Sequence, residues 1–166
     1  DKEHKAFHEV HEPEKEIDFE KTYKATYIWL LEGRSDKPIE REVTWGEGIV
    51  DRTDGKLAMS SQLPPPGSFA VGYAVADIHV DTAREITLDI DGDDAFRIWL
   101  NGEQISEKIA PYQHRKDCIA EHRGLQVKLV AGTNRFIVKS ANVDYRWWVR
   151  LRLTDSNGIP IPFRTP

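Results

Sequence analysis

Cysteine is almost absent: Cys118 stands alone in 166 residues, so no disulfide can form within the chain. Long apolar runs are missing too. No stretch approaches the ~20 residues that a membrane-spanning helix requires, and no secretory leader pattern is present. Basic blocks are also lacking. With 23 Lys and Arg against 28 Asp and Glu the formal charge is −5, which argues against nonspecific nucleic-acid binding by counterion release. Catalytic signatures are equally scarce, with no Gly-x-Ser-x-Gly elbow, no phosphate-cradling glycine loop and no His-Glu-x-x-His. Carboxylates are plentiful, yet none forms a pair that can be placed across a pocket at glycosidase separation. The first residue is Asp1 with no initiator Met, and a piece of a longer or processed protein is expected.

What is present is an ordinary globular balance, 39% hydrophobic and 31% charged, at a length that suits one domain with a real core. The most informative stretch runs from Gly92 to Glu103. An acidic turn, Gly92-Asp93-Asp94, feeds the alternating run Ala95 to Leu100, with Phe96, Ile98 and Leu100 directed inward. Asn101-Gly102 then reverses the chain, because both central positions of a two-residue hairpin need positive φ. A second turn signal follows at Ala131-Gly132-Thr133-Asn134.

The remaining punctuation predicts further strands. Tyr23 to Leu31 is apolar on both faces, with Tyr27, Trp29 and Leu31 opposite Thr26, Ile28 and Leu30. Gly33 to Pro38 reads as a loop, and Val43-Thr44-Trp45 as a short strand. The run Pro64-Pro65-Pro66-Gly67 cannot donate ladder hydrogen bonds and belongs in a surface connection. Phe69 to Val80, Glu85 to Ile90, Leu125 to Val130, Asn134 to Ala141 and Tyr145 to Leu153 complete the set. Glu103 to Arg123 is irregular and is expected to hold a loop with some helical character. Residues 1–20, rich in Glu, Lys and His, read as a charged lead-in or linker with no core role. The expectation is therefore an all-β chain with little helix, an antiparallel β-sandwich formed by residues 21–166.

The series from Val71 to Pro160 resembles the galactose-binding-like jelly-roll modules of bacterial glycosidases and related exported proteins. The resemblance rests on Gly72-Tyr73-Ala74, Gly92-Asp93-Asp94, Trp99-Leu100-Asn101-Gly102, Ala131-Gly132-Thr133-Asn134, Val138-Lys139, Asn142, Trp147 and Leu151-Arg152-Leu153-Thr154-Asp155. It implies a secreted, periplasmic or cell-surface accessory domain that holds an enzyme near its polysaccharide, beside neighbouring domains of the same polypeptide. Adjacent Asp residues before a strand and hairpin also resemble the protective-antigen-type lectin domain of adhesins. That likeness implies calcium, with Asp93 and Asp94 as its ligands.

Read from the residues themselves, Asp89, Asp91, Asp93 and Asp94 cluster oxygen suited to a hard cation, or else cap the backbone of a turn. Arg97 and Trp99 share one strand face; Trp148, Arg150 and Arg152 share another. If those strands lie side by side they form one aromatic and cationic stripe, in which Trp stacks on a sugar and Arg grips hydroxyls or carboxylates. Alternatively, the N-terminal segment or a neighbouring domain covers the Trp residues. His114, Cys118 and His122 would share a helix face as zinc ligands or a nucleophile and base, and His4, His8 and His11 form a similar series that, with Glu12 and Glu14, would bind a transition metal loosely; solvated segments are the simpler expectation for both. The leading functional expectation is a non-catalytic carbohydrate-binding module contacting a polysaccharide or glycan through Arg97, Trp99, Trp148 and Arg150. The alternative is a structural spacer that packs on a catalytic neighbour; an enzyme is the third.

Overall fold

A computed structural model describes residues 5–29, 39–59, 68–111, 118–142 and 146–162. His4, Leu31, the expected 33–38 loop, the triple proline, His114 and Tyr145 lie outside the described residues, as do the side chains at 26–30. Among the described residues, ten strands follow two four-residue helices, α1 (Lys5–His8) and α2 (Glu12–Lys15). The strands are β1 (Tyr23–Trp29), β2 (Ile39–Val43), β3 (Leu57–Ala58), β4 (Ser68–Val80), β5 (Arg84–Asp93), β6 (Ala95–Leu100), β7 (Glu103–Ile109), β8 (Ile119–Leu129), β9 (Gly132–Asn142) and β10 (Trp148–Thr154). All pair antiparallel, in a six-stranded sheet of order β2-β1-β4-β9-β6-β7 and a four-stranded sheet of order β3-β10-β5-β8.

The sheets face each other across one core. Ile78, Val80, Phe96, Ile98, Leu100, Phe136 and Val138 from the larger sheet meet Ile86, Leu88, Ile90, Val127, Leu129 and Val149 from the smaller. Period-two alternation puts these residues on the inner faces, so the protein is an antiparallel β-sandwich. Trp147 is buried as well, and its indole N–H donates to Ser140 Oγ at 3.0 Å, giving the ring's polar edge a partner.

Both turn signals hold, and they are tied together. Asn101 and Gly102 have φ of 52° and 87°, the positive pair that the hairpin demands. The Asn101 side chain accepts from the Arg135 backbone N–H at 2.9 Å and donates to Asn134 Oδ1 at 3.1 Å. Asn134, fully buried, also bridges the N–H and C=O of Val130, closing the β8–β9 turn.

The region Glu103 to Arg123 departs from expectation. Its described residues, 103–111 and 118–123, hold strand β7 and the start of β8 and no helix. The physical reason is position. β7 is an edge strand largely exposed on both faces, so Glu-Gln-Ile-Ser-Glu-Lys-Ile carries little apolar alternation. β8 is broken by a bulge opposite Leu88 and Ile90, where Gly124 at φ 69° donates its N–H to Asp89 at 2.8 Å. Across the sheets, Ser106 Oγ and His122 Nδ1 lie 2.7 Å apart. The helix face proposed for Cys118 and His122 is therefore absent: Cys118 is buried just before β8, and His122 is a strand residue.

The segment expected to be a charged lead-in crosses the outer face of the larger sheet. Phe7 is fully buried against Val71, Ala95 and Ala141, adjacent positions of β4, β6 and β9. A single apolar anchor among charged neighbours is a weak sequence signal. Its counterpart was the run of apolar residues on the outer face of the sheet, which needed a cover.

Candidate functional site

Strand alternation sets the outer face of the larger sheet in rows. One row is Val71, Ala141 and Ala95; the next is Tyr73, Lys139, Arg97 and Glu107; the third is Val75, Ile137 and Trp99. Arg97 and Trp99 thus share a face, as expected, and the Arg97 guanidinium stands 5.9 Å from the Trp99 ring. That face is already engaged. Arg97 pairs with Glu107, lies 3.7 Å from Glu14, and stacks over Phe7 at 5.2 Å.

Glu14 is the centre of this network. Its Oε1 accepts from the Tyr73 hydroxyl at 2.6 Å and the Lys139 ammonium at 2.8 Å, and its carboxylate also receives the His11 backbone N–H at 3.1 Å. Lys139, with no exposed surface, donates in addition to the Glu9 carbonyl. Burial alone would raise the Glu14 carboxyl, but bonds from Lys139, Tyr73 and His11 hold it below its ordinary value. Burial pushes the Lys139 ammonium down despite the opposing pull of Glu14. Tyr73 is driven well above its usual range by burial and by the adjacent carboxylate. Such groups resemble acid–base machinery, yet all are covered by the N-terminal segment.

Trp148 and Arg150 sit elsewhere. They project from β10 on the outer face of the four-stranded sheet, while Trp147 and Val149 point into the core. The expected single stripe is therefore split between opposite faces of the sandwich, because β6 and β10 belong to different sheets. On this second face Arg150 grips Asp91 with two bonds, Nε at 3.0 Å and Nη2 at 2.6 Å, and donates from Nη1 to the Asp54 carbonyl at 3.2 Å. Arg123 approaches the same carboxylate from β8. Burial opposes ionisation of Asp91, but the hydrogen bonds from Arg150 and Arg123 hold its carboxyl below the ordinary value. Those bonds use three of the five guanidinium N–H groups of Arg150 and fix its plane, two residues along the same strand face from Trp148. Lys56 Nζ lies 4.4 Å from the Trp148 ring centre. Thr87, Asp89, Gln126 and exposed Arg152 extend the polar surface, with Gln126 bonded to Thr87 at 3.0 Å.

The acidic turn divides in the same way. Asp89 accepts from Gly124 and Asp91 from two arginines; Asp93 and Asp94 are the pair expected to hold calcium. Both are buried. Asp94 has φ 67°, and its backbone joins Cys118 and Ala110 across the turn at 2.7 and 2.8 Å. Among the described residues, no three His, Cys, Asp or Glu side chains are grouped closely enough to hold a metal ion. His8 and His11 belong to the covering segment, with His11 Nε2 2.8 Å from the Ala6 carbonyl oxygen.

Sequence patterning missed two features. One is the Glu14 network. The other is an aromatic cluster in which Trp45 meets Phe19 and Tyr23 edge to face at 5.6 and 6.4 Å, beside a cleft of about 170 Å³ bordered by Glu12, Lys15, Glu16, Asp18, Lys21 and Tyr23. Both were hidden by treating residues 1–20 as a linker. The usable signal lay in β4 and β9, whose outward positions Val71, Val75, Ile137 and Ala141 are too apolar for open solvent.

No family model matches the chain, and no curated protein matches it. Among solved structures, it is similar to one titled "PA14 sugar-binding domain from RTX adhesin", with 15% identity and a TM-score of 0.41. That alignment covers 58% of this chain and spans only half, 50%, of the other.

Proposed function

We propose that this chain is a non-catalytic carbohydrate-binding module, with its sugar-contacting surface on the outer face of the four-stranded sheet around Trp148 and Arg150. The observation that carries this reading is the fixed guanidinium: Arg150 is held in two-bond geometry on buried Asp91, next to a half-buried Trp, in an otherwise polar sheet surface. A pyranose needs a flat apolar partner and donors whose geometry is set in advance. Trp148 supplies the first and Arg150 the second, with Arg152 and Gln126 in reach of further hydroxyls. The module would serve an exported multi-domain protein by keeping a neighbouring domain at its polysaccharide.

Retention of the chain on immobilised neutral and acidic polysaccharides tests the reading. Retention should fall by about fivefold or more with Trp148→Ala, a stacking contact of this size being worth roughly 1 kcal/mol beyond its area. Trp99→Ala should leave retention on neutral glycans unchanged. Full retention by folded Trp148→Ala protein would overturn the assignment, and no retention on any glycan would favour a structural spacer.

A further inference from the structure

The row Tyr73, Lys139 and Arg97 spans adjacent β4, β9 and β6, and all three point at one carboxylate supplied by a segment outside the sheet. Among the described residues, both hydrogen bonds of the buried Lys139 ammonium go to the covering segment, to the Glu9 carbonyl and the Glu14 carboxylate. An unpaired ammonium in that position would be very costly, so the row requires an anion above it. Two pleat positions along the same strands, about 6.8 Å away, lie Val75, Ile137 and Trp99, all half-buried. Hydrogen-bond donors aimed at a carboxylate, beside an apolar row, match a sugar that carries a carboxylate at one end and a ring of C–H groups at the other.

We propose that Tyr73, Lys139 and Arg97 form a second ligand site, for the carboxylate of a uronic-acid residue in an acidic polysaccharide, and that Glu14 fills it as a built-in substitute. Trp99, Ile137 and Val75 take the pyranose ring. The segment carrying Glu14 closes the site through one apolar anchor, Phe7, and two four-residue helices that are too short to be stable alone. The choice of a sugar as the carrier of the carboxylate rests on the carbohydrate-binding reading above; the carboxylate seat does not.

Trigalacturonate titrated into the full chain by calorimetry tests the site. Wild type should bind weakly. Phe7→Ala/Glu14→Gln should bind about tenfold more tightly or better, because the competent open form is no longer a minor population. Adding Arg97→Gln should remove that gain, whereas adding Trp148→Ala should not. A synthetic peptide of residues 5–16 should displace the sugar from the double variant, and the same peptide with Glu14→Gln should do so less well. If the double variant loses its near-ultraviolet dichroism, Glu14→Gln alone carries the expectation at about threefold. Unchanged affinity in the folded variant, or failure of the peptide to compete, overturns the proposal. Loss of neutral-glycan binding together with a preserved trigalacturonate gain would instead sink the Trp148 face and leave this seat standing.

Discussion

Asp91→Asn is the perturbation with the most to say about how the smaller sheet holds its outer face. Asp91 has 2% of its side chain exposed and receives Arg150 from β10 and Arg123 from β8, so it ties three adjacent strands. Asparagine keeps the volume but leaves two guanidinium groups without their counter-charge. Breaking a fully buried pair costs about 3–5 kcal/mol. Arg150 is 23% exposed and Arg123 46%, so both can recover part of their hydration and the screened share must be discounted. Arg150 also keeps its bond to the Asp54 carbonyl. The expected loss is therefore about 2–3 kcal/mol, or roughly 4–10 °C in Tm for a chain of this size. Urea unfolding followed by tryptophan fluorescence measures it, and the five Trp residues make the signal strong. In an Arg150→Met background the same change should cost about 1 kcal/mol less, since the partner is already gone. A loss below about 0.5 kcal/mol would place Asp91 among ordinary surface pairs and refute the claim that it fixes Arg150.

Phe7→Ala should cost about 3–4 kcal/mol, since a fully buried ring is lost from beneath Arg97 and Lys139; a loss within 0.5 kcal/mol would make the N-terminal segment a true linker. Acid should destabilise the fold. Glu14, Asp91 and Asp77, the last held by two bonds from Arg135 at 2.7 and 2.6 Å, all lie below their ordinary values, so the unfolded chain takes up protons first; their contribution is present above about pH 4.5 and disappears as pH falls through the lower folded values. Urea midpoints at pH 3 and pH 6 report this, and equal midpoints would contradict it. Chelation with EDTA should leave Tm within about 1 °C, because Asp89 and Asp91 are committed within the sheet; a calcium-dependent rise abolished by Asp94→Ala would put a metal at the turn.

Much of the sandwich was legible because its central strands are buried on an inner face and alternate cleanly. Ala95–Leu100 agrees with the expected strand in both bounds, and Asn101-Gly102 makes the expected hairpin. β7 escaped because an edge strand has little to bury, and the start of β8 escaped because its Gly124 bulge breaks the period. Of the candidate ligand residues, pattern correctly paired Arg97 with Trp99 and Trp148 with Arg150, since two residues apart on a strand means one face. It could not say which sheet each strand joins. That information lies in long-range pairing, such as β6 with β9 and β10 with β5, which local alternation does not encode. The pairing of Glu14 with the sheet was invisible for a related reason: its partners Tyr73 and Lys139 lie 59 and 125 residues away.

The central claim is that sugar meets the protein at Trp148 beside the fixed Arg150. Titrating a retained neutral oligosaccharide into 15N-labelled chain, and watching the indole N–H signals of the five Trp residues, tests it most directly. The Trp148 signal should shift progressively with saturation while buried Trp147 and Trp99 on the opposite face stay in place. A titration that moves Trp99 and leaves Trp148 still, or that moves none of them, would contradict the account.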